Sequence, residues 1–321
     1  MASVSVIIVN YNGGEALQRC LAALATQTLV PDEVFLVDNA SQDGSGEEAA
    51  RAFPSITYLP QDQNLGFAAG NNVAARQAKG DWLALLNPDA YPEPDWLAEL
   101  VEGTRRHPDA VAFGSLQLMA EDLGRIDGAG DCFHALGSPY RGHHGWPREA
   151  EPPEGFVLSP CAAAALYRRD AFEAAGGFDE RFFCYSEDVD LGMRLFAQHG
   201  PAVHLPKAIV LHEGSKITGR ISPFTIYHGH RNRLWAWAKN APPLLFWGLM
   251  PAQALLTLFL GLSFLRRGVA GAYLRGVRDA LRSLPAMRRA RRPLSTGLFA
   301  RYLVWSPVKL RRRSVKLRTQ R

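Results

Sequence analysis

At 321 residues the chain has room for about two domains, or one large α/β domain with an appendage. Hydrophobic residues form 47% of it and charged residues 21%, which excludes a disordered or collagen-like polymer and allows a sizeable core. The net charge of +5 conceals an asymmetry: residues 266–321 carry 17 Lys/Arg against one acid, Asp279, whereas the other 265 residues carry 19 basic and 30 acidic side chains. An acidic body bears a strongly basic tail.

Val4 to Val9 (V-S-V-I-I-V) is a β-branched run that predicts a strand, followed by N-Y-N-G-G and a helical pattern marked by Leu17, Leu21 and Leu24. Glu33 to Val37 predicts a second strand, closing on Asp38 and the polar turn N-A-S-Q-D-G-S. Ile56 to Leu59 is a third, Asn64 to Lys79 a loop and helix, Trp82 to Leu86 a fourth strand ending in N-P-D-A, and Ala110 to Ser115 a fifth. Strands alternating with helices imply a mostly parallel, Rossmann-like sheet. Ligands of such sheets bind beyond the carboxyl ends of the strands, where Asp38 and Asp89 both fall.

Residues 121–156, rich in Gly, Pro, His and charge, read as a long flexible loop. Order resumes at Val157 with an apolar run to Tyr167 and a helix through Ala175, then a second helix from Asp188 to His199, a strand-like run Ala208–Leu211, and a helix opened by Ser222-Pro223. From Ala241 to Leu265 no residue is charged, a length that could span a bilayer. Pro251 and Gln253 interrupt it, and a single crossing would put the basic tail outside, so a re-entrant or interfacial helical hairpin with a lipid-bound tail is the expectation, with a helical subdomain packed against the core as the alternative. The four cysteines have neither metal-ligand nor disulfide-scaffold spacing, which suits a reducing compartment, and the N-terminus has no basic region leading a long apolar one, so no secretory signal is expected.

Four segments form one pattern: V-I-I-V-N-Y-N-G-G; V-D-N-A-S-Q-D-G-S; N-L-G-F-A-A-G-N-N with L-L-N-P-D-A; and G-G-F-D-E-R-F-F-C-Y-S-E-D-V-D-L-G-M-R-L. Over residues 3–240 their order and spacing resemble glycosyltransferase family 2, particularly its rhamnosyltransferase-like branch. The resemblance implies a GT-A type fold, a nucleotide diphosphate sugar as donor (dTDP-rhamnose or a UDP-sugar), a divalent cation (Mg²⁺ or Mn²⁺) and inversion at the anomeric carbon. It implies a glycosyltransferase domain at 1–240, with a nucleotide-sugar half at 1–120 and an acceptor and catalytic half at 157–240, followed by a membrane-associated extension at 241–321.

The resemblance assigns residues as follows. Asp38 accepts a hydrogen bond from the pyrimidine, with Val9 and Tyr11 lining the base. Asp89 is the last position of the family's Asp-x-Asp motif, whose first position is here Asn87, one charge fewer. A hard cation held by few carboxylates neutralises a diphosphate while keeping sites for its oxygens. His212 in L-H-E-G matches the downstream metal-ligand histidine, and Asn64, Gly66 and Asn72 shape the donor pocket. Asp188 matches the catalytic base, Glu187 orients it or meets the acceptor, and Arg231 and Arg233 of R-N-R bind diphosphate or an anionic acceptor. From its place in the first helical turn alone, Asp190 reads as an acid complementing the helix dipole.

The expected partners are the donor, a lipid-linked or cell-surface glycan acceptor and an anionic membrane surface, with a second copy of the chain left open and no nucleic acid. The expected location is the cytoplasmic face of a bacterial inner membrane, peripheral or monotopic. Two other readings compete: a nucleotidyltransferase on a related fold, whose Gly-rich Arg-Leu signature is absent, and a polybasic membrane or nucleic-acid scaffold, which leaves the strand-end carboxylates without a task.

Overall fold

The computed structural model describes residues 2–214, 221–291 and 293–319; Arg292 and Arg321 of the basic tail lie outside the described residues. The chain opens with β1 (Val4–Asn10), α1 (Gly14–Ala25), β2 (Glu33–Asp38), α2 (Ser45–Ala52), β3 (Thr57–Pro60), α3 (Gly66–Ala75) and β4 (Trp82–Leu86). The order β3-β2-β1-β4 is parallel throughout. All of β1 is buried: Val4, Val6 and Ile8 face one core with Leu17, Leu21 and Leu24 of α1, while Ile7 and Val9 face a second with Ala68 and Ala74 of α3. A strand covered on both faces requires an apolar run rather than alternation, which is what the sequence carries there.

The second half comprises β5 (Ala90–Pro92), α4 (Trp96–Arg106), β6 (Ala112–Met119), β7 (Asp122–Gly128), β8 (Asp131–His134), β9 (Ser138–Arg141), β10 (Gly155–Val157), β11 (Ala164–Arg168), α5 (Arg169–Ala174), α6 (Glu187–Gln198) and β12 (Ala202–His212). The mostly parallel sheet expected from the sequence is present, with a few antiparallel strands set into it. β11 lies between β4 and β6, antiparallel to both, and β6 pairs in parallel with β12. The apolar run that became β11 carried no information on direction. Two reversals restore the original sense, so β1, β2, β4, β6 and β12 all end on one edge of the sheet.

Residues 121–156 are not the expected long loop. β7 folds back on β6, and β8 and β9 form a separate hairpin. Gly130, Gly137, Gly142 and Gly145, part of what suggested a loop, sit between these short strands. Gly137, at φ 67°, closes the hairpin where an added Cβ would lie 2.6 Å from the Gln253 amide.

Five helices complete the chain: α7 (Pro223–Asn240), α8 (Pro243–Leu265), α9 (Ala270–Arg289), α10 (Thr296–Tyr302) and α11 (Pro307–Arg312). Ser222 and Thr225 form a reciprocal capping box at the start of α7, with Pro223 in the first turn, as the sequence predicts. Pro251 does not break α8; the helical hairpin is made instead by α8 and α9 around Arg266-Arg267-Gly268. α8 is long and apolar enough to cross a membrane, yet it buries Phe246, Gln253 and Phe264 against the protein and exposes Leu255, Leu258, Phe259, Leu262 and Leu265.

Residue 240 does not mark a packing boundary. Phe299, Tyr302 and Leu303 share a buried cluster with Phe133, Phe196 and Trp237. The end of the chain, expected on lipid, lies along β8 and β9: Trp146 Nε1 donates to the Arg312 carbonyl at 2.5 Å and Tyr140 Oη to that of Ser314 at 2.9 Å. Residues 241–321 therefore cannot be removed without opening the core. Even Phe299→Ala is expected to cost about 3–5 kcal/mol, read as a lower denaturation midpoint; an unchanged midpoint would show that the tail is dispensable.

Candidate active site

Asp38 ends β2 beside Asn10, the last residue of β1. Asn10 Nδ2 donates to Asp38 Oδ1 at 2.9 Å and to Ser45 Oγ at 2.9 Å, and its Oδ1 accepts from the Gly13 amide. Ser41 Oγ donates to the same Asp38 oxygen, and among the described residues only a long Tyr58 hydroxyl contact of 3.4 Å reaches Oδ2. Gly46 at the start of α2 lies so close that a Cβ would sit 2.6 Å from the carboxyl carbon. Asp38 is thus fixed through one oxygen, while the other retains accepting capacity. Val9 is buried under Gly70, whereas the Tyr11 side chain is exposed beyond the strand end.

Asp89 follows β4, and His212 is the last residue of β12, paired in register with Ala90. Asp89 Oδ1 and His212 Nε2 are 3.4 Å apart. The other ring nitrogen, Nδ1, lies 2.7 Å from Oδ2 of buried Asp127. A carboxylate only accepts, so Nδ1 carries the proton and Nε2 faces Asp89. This is the arrangement in which a carboxylate orients a metal-binding imidazole.

Asp127 also pairs with Arg141 of β9, and His144 Nδ1 is 3.2 Å from its Oδ1. Burial would raise the Asp127 carboxyl, but the Arg141 guanidinium and the two imidazoles hold it far below the usual carboxylate range. Burial likewise would depress His212, yet its hydrogen bonds with Asp127 and Asp89 raise it to about 9. Without a cation the ring is positively charged between two carboxylates. Asp89 and His212 fit a hard divalent cation, which would replace that charge. With two protein donors in reach among the described residues, the cation would keep further positions for phosphate oxygens and water.

Glu187 and Asp188 open α6. The backbone before them is strained: Phe183, Tyr185 and Ser186 all have φ between 66° and 71°, at a cost of about 1–3 kcal/mol each. Asn232 of α7 holds this turn by donating to the carbonyls of Phe182, Cys184 and Tyr185. Asp188 Oδ2 accepts from the Ala162 amide at 3.2 Å and Oδ1 from the Val189 amide at 2.8 Å. Ala163, next to Ala162, accepts the Asn87 amide, so Asp188 stands at the same sheet edge as the N-P-D-A turn. Asp188 is half-buried and reachable. Glu187 is buried, with Oε2 lacking any hydrogen bond among the described residues; burial and the Asp188 charge push its carboxyl well above its ordinary value.

Several expected site residues serve the scaffold instead. Asn64 Oδ1 accepts from the Gly66 amide, and Gly66, at φ 79°, is pressed by Phe183, which a Cβ would meet at 2.6 Å. The Asn72 amide bridges to Phe178, giving 2.9 Å to its carbonyl and taking 3.0 Å from its N–H. Asn64 and Gly66 shape the entry to α3 beside Phe183, and Asn72 ties α3 to the Phe178 backbone and the Glu180 carboxylate at the edge of a cavity. Arg231 is buried, donates to the carbonyls of Arg181 and Phe182, and stacks 4.2 Å over Trp235; Arg233 is buried and donates to Thr257. A buried guanidinium already occupied by carbonyls is not placed for diphosphate. Asp190 is more than a dipole acid: Arg194, Lys239 and Asn240 all donate to it within 2.9 Å. Asn87 Oδ1 is buried without a donor among the described residues. Asp127, Asp131 and Arg141 escaped the sequence reading because their segment read as loop, although its acids flanked by glycine (D-G-A-G-D) are the mark of a tight turn that carries carboxylates.

Comparison with known proteins gives the same outline. The family model described as glycosyl transferase family 2 matches residues 5–176. An N-acetylglucosaminyl-diphospho-decaprenol L-rhamnosyltransferase of Mycobacterium tuberculosis is 33% identical over 247 residues, covering 67% of this chain and 77% of that one. The O-antigen biosynthesis protein RfbC of Myxococcus xanthus is 34% identical over 225 residues, 66% of this chain and 17% of that larger protein. Among solved structures, GalNAc-T7 with UDP, GalNAc and Mn²⁺ superposes with a TM-score of 0.60 at 16% identity, over 76% of this chain and 49% of that one, so this chain spans about half of it. The mannosyltransferase PcManGT of Pyrobaculum calidifontis, with GDP-Man and Mn²⁺, gives 0.56 at 20% identity, over 89% and 75%. These likenesses establish the GT-A fold.

Proposed function

The chain belongs to glycosyl transferase family 2, and on that footing we propose that it transfers a sugar, with inversion, from a nucleoside-diphosphate donor to a hydroxyl of a lipid-linked glycan. The observation that carries the reading is the gathering of Asp38, Asp89, His212 and Asp188 along one edge of the sheet. Likeness to the rhamnosyltransferase of M. tuberculosis supports L-rhamnose as the sugar and a polyprenyl diphosphate sugar as the acceptor, and the resemblance drawn from the sequence motifs suggests dTDP-rhamnose as its donor. Family membership disfavours the nucleotidyltransferase and the non-enzymatic scaffold.

In this reading Asp38 receives the pyrimidine through its less engaged oxygen, with Tyr11 at the mouth. The acceptor hydroxyl attacks the anomeric carbon as the bond to the diphosphate breaks, and Asp188 takes the hydroxyl proton. Bound Mg²⁺ or Mn²⁺, held by Asp89 and His212, would supply charge neutralisation for the diphosphate. Arg141, ion-paired to Asp127, fixes the carboxylate that orients His212. Asp127→Ala is expected to weaken Mn²⁺ binding about 10–100-fold, measured by titration of the nucleotide-free protein; unchanged affinity would remove Asp127 from the site.

Membrane association belongs to the same reading, at the cytoplasmic face of a bacterial inner membrane. α8 packs Phe246, Gln253 and Phe264 against the body while leaving a row of leucines exposed, and Arg266, Arg267, Arg275, Arg278 and Arg282, which follow it, are exposed too. Apolar insertion combined with basic attraction to anionic lipid suits an in-plane, monotopic attachment. The function is tested by offering dTDP-rhamnose and UDP-sugars with a polyprenyl-diphosphate N-acetylglucosamine acceptor and Mg²⁺ or Mn²⁺. Transfer of rhamnose to that acceptor is the expected product. Turnover only with a soluble acceptor would overturn the lipid-linked assignment.

A further inference from the structure

Asp131, the first residue of β8, has no place in the reaction described so far. Its side chain is buried in a group with Cys161 and Asp188 whose candidate ligand atoms all lie within 4.8 Å of one another. The two carboxyls differ in what surrounds them. Asp188 accepts two backbone N–H groups and sits on the first turn of α6, where the helix dipole favours negative charge. Asp131 Oδ2 is buried and receives no hydrogen bond among the described residues. Where two carboxyls lie side by side, the one with fewer hydrogen-bond donors is the one that more readily keeps a proton.

We propose that Asp131 is a positioning residue for the catalytic base: as the neutral acid it donates a hydrogen bond to the Asp188 carboxylate and holds it toward the acceptor hydroxyl. β8 cannot drift away from α6, because the Asp131 amide donates to the Ser159 carbonyl at 2.8 Å and Ser159 Oγ donates to the Asp188 carbonyl at 2.8 Å. The charged and titratable groups facing Asp131 are Asp188 and Glu187 of α6, Arg141 of β9, Cys161, and Tyr167 of β11. Burial raises Asp131 well above its ordinary value, the Asp188 charge adds to the rise, and Arg141 only partly opposes them. Ionisation of Asp131 at high pH would set two negative charges side by side and end the positioning.

This inference rests on Asp188 as the base. It is tested in the full-length protein with Asp131→Ala and Asp131→Asn, reading kcat, the donor KM and the pH profile of each. Asp131→Ala is expected to lower kcat about 100-fold with donor KM nearly unchanged. Asp131→Asn, whose amide donates as the acid does but does not ionise, is expected to recover most of that loss and to extend the alkaline limb of the kcat profile to higher pH. A loss in Asp131→Asn equal to that in Asp131→Ala would mean that Asp131 acts ionised, as a metal ligand would, and would overturn the proposal. Full activity in Asp131→Ala would do the same. If Asp131→Ala fails to fold, infrared difference spectra of aspartate-labelled protein decide: a protonated-carboxyl band at neutral pH that disappears in Asp131→Asn supports the proposal, and no such band in the wild type refutes it. Failure of the base assignment shows separately, as wild-type turnover in Asp188→Asn.

Discussion

Asp188→Asn is expected to lower kcat by about 10²–10⁴-fold while leaving donor affinity within a few-fold. The side chain lies on the first turn of α6, half-buried and reachable, and accepts the Ala162 and Val189 amides. The amide keeps the size of the carboxylate but cannot take the hydroxyl proton, so the loss falls on the chemical step. Donor affinity is spared because Asp38 and Asp89 stand on β2 and after β4, outside the hydrogen bonds that hold α6. Single-turnover kinetics with saturating acceptor, beside donor binding by calorimetry, separates the two quantities. Turnover near wild type would place the base elsewhere, and a parallel collapse of donor binding would mean that Asp188 organises the nucleotide site.

The second large effect is expected at Asp89. Asp89→Ala should lower donor affinity and kcat together, by about 10²-fold or more in kcat/KM, and should abolish the dependence of donor binding on Mg²⁺ or Mn²⁺. Asp89 Oδ1 is the acidic partner of His212 Nε2, and Asn87 in the same turn supplies no charge. Removing the carboxylate therefore leaves one histidine to hold a dication against a diphosphate. Donor binding titrated at several metal concentrations checks this. Unchanged metal dependence would make N-P-D-A a purely structural turn.

The strand ends were legible because their chemistry is local. An apolar run followed by Asp38, or by N-P-D-A, marks both a buried strand and the polar group beyond it, and the register of β1, β2 and β4 places those groups together. His212 was found in the same way, at the end of an apolar run, although its strand begins earlier, at Ala202. What sequence could not supply was pairing between distant segments. Asp131 and Arg141 matter only because the β8–β9 hairpin comes against α6, and a stretch of Gly, His and Pro gives no sign of that contact. Asn72 and Arg231 misled for the converse reason. Polar residues near a site are as often employed in fastening a strained turn, and only their partners, the Phe178 amide and the Phe182 carbonyl, reveal which task they have. The tail misled through its charge, since Arg266, Arg267, Arg275, Arg282, Arg311 and Arg312 are exposed while Phe299, Tyr302 and Leu303 close the core.

The most direct test of where the chemistry lies is the position of Mn²⁺ in crystals grown with a nucleoside diphosphate, read from anomalous scattering. A peak between Asp89 and His212, with diphosphate oxygens on its open side, is the predicted result. A peak among Asp131, Cys161 and Asp188 would contradict it, because it would make the residue assigned as the base a metal ligand.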